Sequence, residues 1–275
     1  MPPPEGVPAR YDSLADGYAR HWGPVIQPAA VALLDRMAGA LPPGTRVLDV
    51  GTGTGTLAID LLARWPSVEV TGIDPSPAML DLASAAARAA LDPPTAARFT
   101  TVTAFADELP LDDATFDVAL SSFVLQLVPS RTKALGEIRR VLRPGGRLAW
   151  VTWLVGGDAF RGDAVVDEVL DEFGFDPPER DLRSGDLASV PAAAAATRRA
   201  GFRDVHGAGE ALEHTWQPDA YAAFITRFDE QSTFAELERR ERRRAEARLL
   251  ERLRALSPLD LTMRLPIVYV TGVAR

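Results

Sequence analysis

Three glycines stand at alternate positions, Gly51, Gly53 and Gly55, directly after an apolar stretch that ends in Asp49 and Val50. Glycine omits the side chain where a backbone turns sharply or approaches another group closely. A strand, a glycine-rich turn and the start of a helix present free backbone N–H groups, which suit a nucleotide-like ligand. The alternative is a tight strand-to-helix turn that holds no ligand.

A carboxylate, Asp74, is the second candidate for ligand binding. It lies about 20 residues beyond the glycines, where dinucleotide-binding folds place the acid that holds a ribose. The other interpretation is an Asp that caps the next helix. A dinucleotide fingerprint, G-x-G-x-x-G, would need glycine at position 56, where this chain has Thr56. The spacing therefore disfavours a nicotinamide or flavin dinucleotide.

Metal and thiol chemistry have no support in the sequence. The chain has no cysteine, which excludes disulfides, thiolate zinc sites and a cysteine nucleophile. Its three histidines, His21, His206 and His214, lack a spacing such as H-x-x-x-H, so no metal site is predicted. His21 follows an aromatic segment and is either a general base or a structural histidine. The catalytic residue therefore stays unassigned.

The charge balance favours a small-molecule substrate. The chain has 275 residues and a net charge of −8, whereas nucleic acids and anionic membranes require a basic face. An arginine-rich helix at 236–254 interleaves glutamates, which is typical of a solvated face. Two D-P-P stretches, at 92–94 and 176–178, lack the tyrosine of the D-P-P-Y in amino-methylating nucleic-acid enzymes and indicate turns. We expect no nucleic-acid or membrane partner, and a homo-oligomer is left open.

The chain is expected to be a cytoplasmic, soluble protein. Its proline-rich start has no apolar core of signal-peptide length, and no stretch approaches the roughly 18 apolar residues of a membrane span.

Strand and helix patterns alternate along most of the chain, which predicts right-handed crossovers and a doubly wound, mostly parallel α/β sheet. Ligands bind such sheets beyond the carboxyl ends of the strands. The predicted strands are 46–50, 68–73, 97–102, 116–122, 147–154, 205–216 and 265–274. The predicted helices are 28–41, 56–65, 78–91, 133–142, 192–202, 218–228 and 234–256.

Five stretches, taken in order, resemble the motifs of class I S-adenosylmethionine-dependent methyltransferases, in particular the branch typified by ubiquinone and menaquinone biosynthesis enzymes. They are "YDSLADGY" (11–18), "VLDVGTGTG" (47–55), "GIDPSPAML" (72–80), "ADELPLDDATFDVALSSFVLQLV" (106–128) and "LRPGGRL" (142–148). The resemblance implies a Rossmann-like sheet of seven strands in the order 3-2-1-4-5-7-6, with the last strand antiparallel and a helical cap from insertions. It also implies S-adenosylmethionine as the cofactor.

The resemblance assigns cofactor contacts residue by residue. Gly51 and Gly53 would meet the methionine part, Asp74 the ribose, and Met79 and Ala106 the adenine. The family usually places an Asp before the alanine of the adenine motif, where this chain has Phe105, so Asp107, backbone or water would read the amine. The implied cofactor-binding residues are Tyr11, Tyr18, Gly51, Thr52, Gly53, Gly55, Asp74, Pro75, Met79, Ala106, Asp107, Ser121 and Ser122.

The implied reaction is methyl transfer to an O, N or C nucleophile of a small molecule. A non-catalytic S-adenosylmethionine-binding protein and a nicotinamide-dependent oxidoreductase are the alternatives. We expect one domain over 1–275, with a lid at 1–27 and cap insertions at 155–190 and 217–260. Trp153, Phe160, Trp216, Tyr221, Phe224 and Phe228 are predicted either to line an apolar acceptor chamber or to pack within the cap.

Overall fold

A computed structural model describes residue 12, residues 14–175 and residues 186–275. Its centre is a seven-stranded sheet in the order β3-β2-β1-β4-β5-β7-β6, which confirms the predicted topology. Strands β1 to β5 are parallel, and β7 runs antiparallel between β5 and β6. The strands are β1 (Arg46–Val50), β2 (Glu69–Asp74), β3 (Phe99–Thr103), β4 (Phe116–Ser122), β5 (Leu142–Trp153), β6 (Phe202–Thr215) and β7 (Thr262–Ala274).

Burial along the strands explains their order. Val47, Leu48 and Val50 of β1 are all fully buried, as expected for a central parallel strand covered by helices on both faces. Most residues of β6 are exposed, which fits its position at the edge of the sheet.

Helices cover both faces of the sheet and build the cap. They are α1 (Gly23–Asp35), α2 (Thr56–Arg64), α3 (Pro77–Ala90), α4 (Pro93–Ala96), α5 (Arg131–Val141), α6 (Arg161–Glu172), α7 (Val190–Arg199), α8 (Pro218–Phe224), α9 (Gln231–Glu236) and α10 (Arg239–Arg254). Short π-helical turns at Tyr18–Trp22 and Ile225–Asp229 precede α1 and follow α8.

Two helix predictions were wrong for identifiable reasons. The first helix begins at Gly23 because Pro24 fills its first turn, and Pro28 lies inside the helix instead of starting it. The predicted helix at 234–256 is interrupted because Leu237 is extended and buried between α9 and α10. The D-P-P stretch at 92–94 starts α4, where Asp92 caps the helix, and the stretch at 176–178 lies outside the described residues.

Two apolar clusters pack on the two faces of the sheet, and a third joins the cap helices α6, α8 and α10 to the N-terminal segment. We call the third the cap cluster; its residues include Val25, Val169, Trp216, Tyr221, Phe224, Phe234 and Leu249. Burial of this apolar surface is the main stabilising contribution. Arginines on α10 also pair with α6, as Arg252 does with Glu168 at 2.9 Å, but such half-exposed pairs add little.

Within the described part of the chain, no helix is long and apolar enough to cross a membrane. Over the same residues, no group of three or more metal-ligating side chains is found.

Candidate functional site

The predicted ligand-binding residues converge because three parallel strands end at the same edge of the sheet. Gly51 follows β1, Asp74 ends β2 and Ser122 ends β4, and β1 pairs with both neighbours. The carboxyl edge at β1 and β4 is where doubly wound sheets bind ligands.

The three glycines of the loop have different roles. All have positive φ, at +72°, +52° and +83° for Gly51, Gly53 and Gly55. A Cβ added at Gly51 would lie 2.2 Å from Val124 Cγ2, and one at Gly55 would lie 2.9 Å from Ala83 Cβ. A Cβ at Gly53 would meet nothing within 4 Å. The tight-turn interpretation therefore explains Gly51 and Gly55, whereas Gly53 leaves its backbone open to a ligand.

Asp74 connects the glycine loop to the start of α3. Its Oδ2 accepts a hydrogen bond from the Gly53 N–H at 3.0 Å, and its Oδ1 accepts one from the Ser76 N–H at 3.0 Å. Ser76, not Asp74, caps the helix, because its Oγ accepts from the Met79 N–H at 3.2 Å. Burial raises the pKa of Asp74, and the two backbone N–H groups oppose this increase.

A second carboxylate, Asp49, lies beneath the loop and is 2% exposed. Its Oδ2 accepts a hydrogen bond from Thr52 Oγ1 at 2.7 Å, and the Thr52 N–H donates to the Ile73 carbonyl at 2.8 Å. Burial raises the pKa of Asp49 to about 7, although the Thr52 hydroxyl opposes the increase. This carboxyl group therefore changes charge near neutral pH.

A cavity of about 200 Å³ opens beside the loop. Nine of the thirteen residues implied by the family resemblance line it: Tyr18, Gly51, Gly53, Asp74, Pro75, Met79, Ala106, Asp107 and Ser122. A smaller cavity of about 40 Å³ extends beneath the loop and is lined by Asp49, Thr52 and Gln27, among others. Tyr18, Gly51, Gly53 and Ser122 border both cavities.

Two of the described predicted residues, Gly55 and Ser121, are not in the lining of either cavity. Gly55 precedes α2, and a Cβ added to it would collide with Ala83 of α3. Ser121 is fully buried and its Oγ donates to the Val50 carbonyl at 3.1 Å. Tyr11 lies outside the described residues.

Ser122 has the polar group best suited to a ligand at the junction of the two cavities. Among the described residues its buried Oγ has no hydrogen-bond partner. A buried hydroxyl without a partner carries a desolvation penalty, which a bound polar group would remove.

An Arg–Glu pair holds the loop that carries Ala106 and Asp107. Arg140 donates to the carbonyls of Leu109 and Leu111 at 2.9 and 2.7 Å, and Glu137 Oε2 accepts from the Leu109 N–H at 3.0 Å. Arg140 also donates to Glu137 at 2.7 Å. Each partner thus fixes backbone groups of a loop with little regular structure.

The sequence interpretation predicted Trp153 but missed the rest of one apolar wall of the cavity. Phe123 and Trp153 stack there at 4.1 Å, and the segment after β4 contributes the rest of this wall. The signal that could have located it is the position of "FVLQLVP" directly after a strand of the predicted carboxyl edge. Further lining residues are Trp22, Ile73, Ala104, Phe105, Val124, Gln126, Leu127, Val128 and Pro129.

The predicted acceptor chamber is only partly assembled. Trp153 lines the cavity, whereas Phe160, Trp216, Tyr221, Phe224 and Phe228 pack in or against the cap cluster. They reach the cavity through its roof: Trp22 stacks on Phe224 at 5.5 Å, and Tyr18 meets Phe228 edge-on at 6.3 Å.

His21 is not among the residues that line either cavity, and neither are the other two histidines. Partial burial and the positive charges of Arg227 and Arg20 lower the pKa of His21.

A comparison with known protein families finds a match to part of the chain. Residues 47–146 match a family model described as a methyltransferase domain. The strand order and the position of the glycine loop at the carboxyl edge agree with the Rossmann-like fold of methyltransferases.

Two curated methyltransferases are similar to part of this chain. The ubiquinone/menaquinone biosynthesis C-methyltransferase UbiE of Geobacter sp. (strain M21) is 40% identical over 104 residues, which cover 38% of this chain and 43% of that protein. The 27-O-demethylrifamycin SV methyltransferase of Amycolatopsis mediterranei is 36% identical over 163 residues, covering 54% of this chain and 58% of that protein. The matches thus span about half the length of these relatives.

Solved structures share the fold over most of the chain. Phosphoethanolamine N-methyltransferase 2 of Haemonchus contortus, solved with S-adenosylhomocysteine, has a TM-score of 0.59 at 20% identity over 95% of this chain and 57% of that chain. The [4+2]-cyclase SpnF has a TM-score of 0.58 at 22% identity over 90% of this chain and 80% of that one. The cyclase shows that this fold does not dictate a single reaction.

Proposed function

We propose that this protein transfers a methyl group from S-adenosylmethionine to an O, N or C nucleophile of a neutral small molecule. The observation that carries the proposal is the pairing of Asp74 with Gly53 at the cavity wall. The open space at Gly53 lets a ligand approach the backbone closely, and Asp74 offers a carboxylate beside it. The relatives support it, since their names describe C-methylation in quinone biosynthesis and methylation of a demethylrifamycin.

The residues present fit this cofactor. The free lone pairs of the Asp74 carboxylate would accept from the two ribose hydroxyls, and Met79 and Ala106 would flank the adenine. Gly51, Gly53 and the unpartnered Ser122 hydroxyl would meet the methionine end. Phe105, which is 37% exposed at the cavity, stands where the family has an adenine-binding Asp, so Asp107 or backbone would serve there.

When bound, S-adenosylmethionine supplies an electrophilic methyl group on a sulfonium. The chain contributes alignment of the acceptor and exclusion of water, and effective molarities up to ~10⁵ to 10⁸ M show how much alignment alone can supply. Aromatic side chains of Trp22, Phe123 and Trp153 form a wall that keeps water from this part of the cavity. In this scheme the chain needs no dedicated general base.

We further propose that 1–27 acts as a lid and that 155–190 and 217–260 form the cap. Two lid residues, Tyr18 and Trp22, line the cavity and contact aromatic residues of the second insertion. A cavity roof made by a terminal segment can open to admit ligands and close to exclude water. We place this activity in the cytoplasm, with no nucleic-acid substrate, in line with the acidic net charge.

Calorimetry followed by turnover tests the proposal. S-adenosylmethionine and S-adenosylhomocysteine should bind one to one, and NAD(H) should not. Incubation with labelled S-adenosylmethionine and a panel of phenols, quinols and amines should then give a methylated product. Binding of NAD(H) alone would indicate an oxidoreductase, and cofactor binding without transfer to any acceptor would indicate a non-catalytic binding protein.

A further inference from the structure

The side-chain amide of Gln126 is fixed at both ends inside the large cavity. Its Oε1 accepts a hydrogen bond from Thr152 Oγ1 at 2.6 Å, and its Nε2 donates to the Phe123 carbonyl at 2.6 Å. A backbone carbonyl can only accept a hydrogen bond, so the nitrogen must be the end that faces Phe123. The orientation of the amide therefore follows from the chemistry of its partners.

One N–H of this amide has no hydrogen-bond partner among the described residues. Nε2 carries two hydrogens, and within the described chain only the Phe123 carbonyl receives one of them. Gln126 is itself part of the cavity lining. The remaining N–H is thus a donor of fixed direction next to a space large enough for a ligand.

The surroundings of this donor are apolar. Phe123 and Trp153 stack beside it, and Leu127 and Val128 continue the same wall. A polar group in such a wall is costly unless it is paired, so a ligand with an acceptor atom would gain from meeting it. The charged side chains in the lining, Asp74 and Asp107, are both carboxylates, which disfavour an anionic partner.

The backbone of Phe123, whose ring forms part of this wall, is strained. Its φ is +56°, a left-handed conformation that costs a non-glycine residue roughly 1–2 kcal/mol. Two hydrogen bonds hold it there: its N–H donates to the Val151 carbonyl at 2.9 Å, and its carbonyl accepts from Gln126. The strained backbone places the ring on Trp153 and orients the amide at the same time.

We propose that Gln126 binds the methyl acceptor by donating its free Nε2–H to an oxygen of that molecule, and that the acceptor is neutral and mainly apolar. This inference rests on the proposed function. Gln126 selects for a carbonyl or hydroxyl lone pair and fixes the acceptor relative to the methyl donor. Thr152 acts through Gln126, because its hydroxyl keeps the amide in the correct orientation.

A pair of small probes tests the contact without any need for turnover. Acetophenone and ethylbenzene have similar shape, but only the ketone has an oxygen that can accept a hydrogen bond. Binding of each is measured by NMR on the protein saturated with S-adenosylhomocysteine, and the side-chain amide signal of Gln126 is followed. The wild type should bind acetophenone about threefold to tenfold more tightly, the range for one neutral hydrogen bond.

Two variants of Gln126 and one of Thr152 separate the effect of the donor from that of its surroundings. Gln126→Leu and Gln126→Glu should lose the preference for acetophenone and leave the affinity for ethylbenzene within twofold. Thr152→Val keeps the donor but frees the amide to turn, so it should reduce the preference only in part. Circular dichroism and the melting temperature establish whether each variant is folded. If Gln126→Leu does not fold, Gln126→Glu alone tests the donor.

Three outcomes would overturn the inference. The Gln126 variants could lose affinity for both probes equally, they could keep the preference for acetophenone unchanged, or neither probe could bind the wild type. Failure of the proposed function is distinguishable, because it would appear first as failure to bind S-adenosylhomocysteine. A retained preference in both variants would show that another group reads the oxygen.

Discussion

Asp12 Oδ1 accepts a hydrogen bond from Ser76 Oγ at 2.5 Å, which attaches the N-terminal segment to the first turn of α3, 64 residues further along the chain. The same oxygen accepts from the Ala78 N–H at 3.2 Å, so the carboxylate lies at the positive end of the helix dipole. The Ser76 N–H also donates a hydrogen bond to Asp74 Oδ1. The segment that carries Tyr18 and Trp22 is therefore fastened beside the proposed ribose carboxylate.

Replacing Asp12 should open the lid. Asp12→Ala removes the two hydrogen bonds at the start of α3, a loss of about 1 kcal/mol by analogy with helix caps. Hydrogen exchange over residues 14–22 should become roughly fivefold faster, since 1.4 kcal/mol corresponds to a factor of ten. S-adenosylhomocysteine should slow exchange there in the wild type and less so in the variant.

Asp16→Ala is the matched control for this measurement. Asp16 lies on the same segment and is exposed, and within the described part of the chain its side chain has no hydrogen bond or ion pair. Equal exchange rates in the two variants would mean that Asp12 does not hold the segment closed.

Substitutions at Gly53 should act on ligand binding and not on packing. The space around its missing side chain is open, so Gly53→Val should fold with a stability loss of about 1–2 kcal/mol from its φ of +52°. Binding of S-adenosylmethionine should nevertheless be abolished in calorimetry, because the side chain would occupy the space proposed for the ligand.

Gly145→Val provides the matched control. Gly145 has a φ of +83°, also has open space around it, and lies at the start of β5, where the pairing with β4 is irregular, away from the cavity lining. It should lose similar stability and keep cofactor affinity. If both variants bound the cofactor equally well, the ligand would not approach Gly53.

Asp74 can be tested by two substitutions of different severity. Asp74→Ala should weaken cofactor binding by about 1.5–3 kcal/mol, the range for hydrogen bonds to a charged group, or roughly ten- to a hundredfold. It also frees the N–H groups of Gly53 and Ser76, so part of this loss would come from the loop. Asp74→Asn keeps an oxygen for one of them, and its affinity should lie between those of Asp74→Ala and the wild type. Unchanged affinity in both folded variants would exclude Asp74 as a ribose ligand.

The start of α3 shows which parts of the fold are readable from sequence. Ser76 and Pro77 are local signals with a local outcome, and α3 begins where they predict. The order of the strands, including the antiparallel β7, came from the family resemblance and agrees with the structure.

Errors arose where distant residues decide the local structure. Leu237 interrupts a helical pattern because the cap cluster, made of residues far apart in sequence, buries its side chain. The role of Gln126 was missed because it depends on Thr152, a partner on the next strand. Likewise, the packing of Gly51 on Val124 depends on a residue more than 70 positions away. Pattern and spacing identify such residues but do not say what they contact.

Asp49 should make the stability of the protein depend on pH near neutrality. Its pKa rises from 3.8 to about 7 on folding because of burial, so the folded chain holds this proton more tightly than the unfolded chain does. The resulting contribution to stability is fully present below about pH 4 and is lost as the pH rises through about 7. Asp49→Asn cannot ionise and retains an oxygen for the Thr52 hydroxyl.

The free energy of unfolding of the wild type should therefore fall relative to that of Asp49→Asn between pH 5 and pH 8, as measured by urea titration at each pH. Taking the difference between the two proteins cancels the titrating groups that do not interact with Asp49, whereas the charge of Asp74 is coupled to Asp49 and remains in the difference. Thr52→Val removes the hydroxyl that favours the ionised carboxylate, so it should move the fall to higher pH. Parallel pH profiles for the wild type and Asp49→Asn would show that Asp49 stays ionised across this range despite its burial.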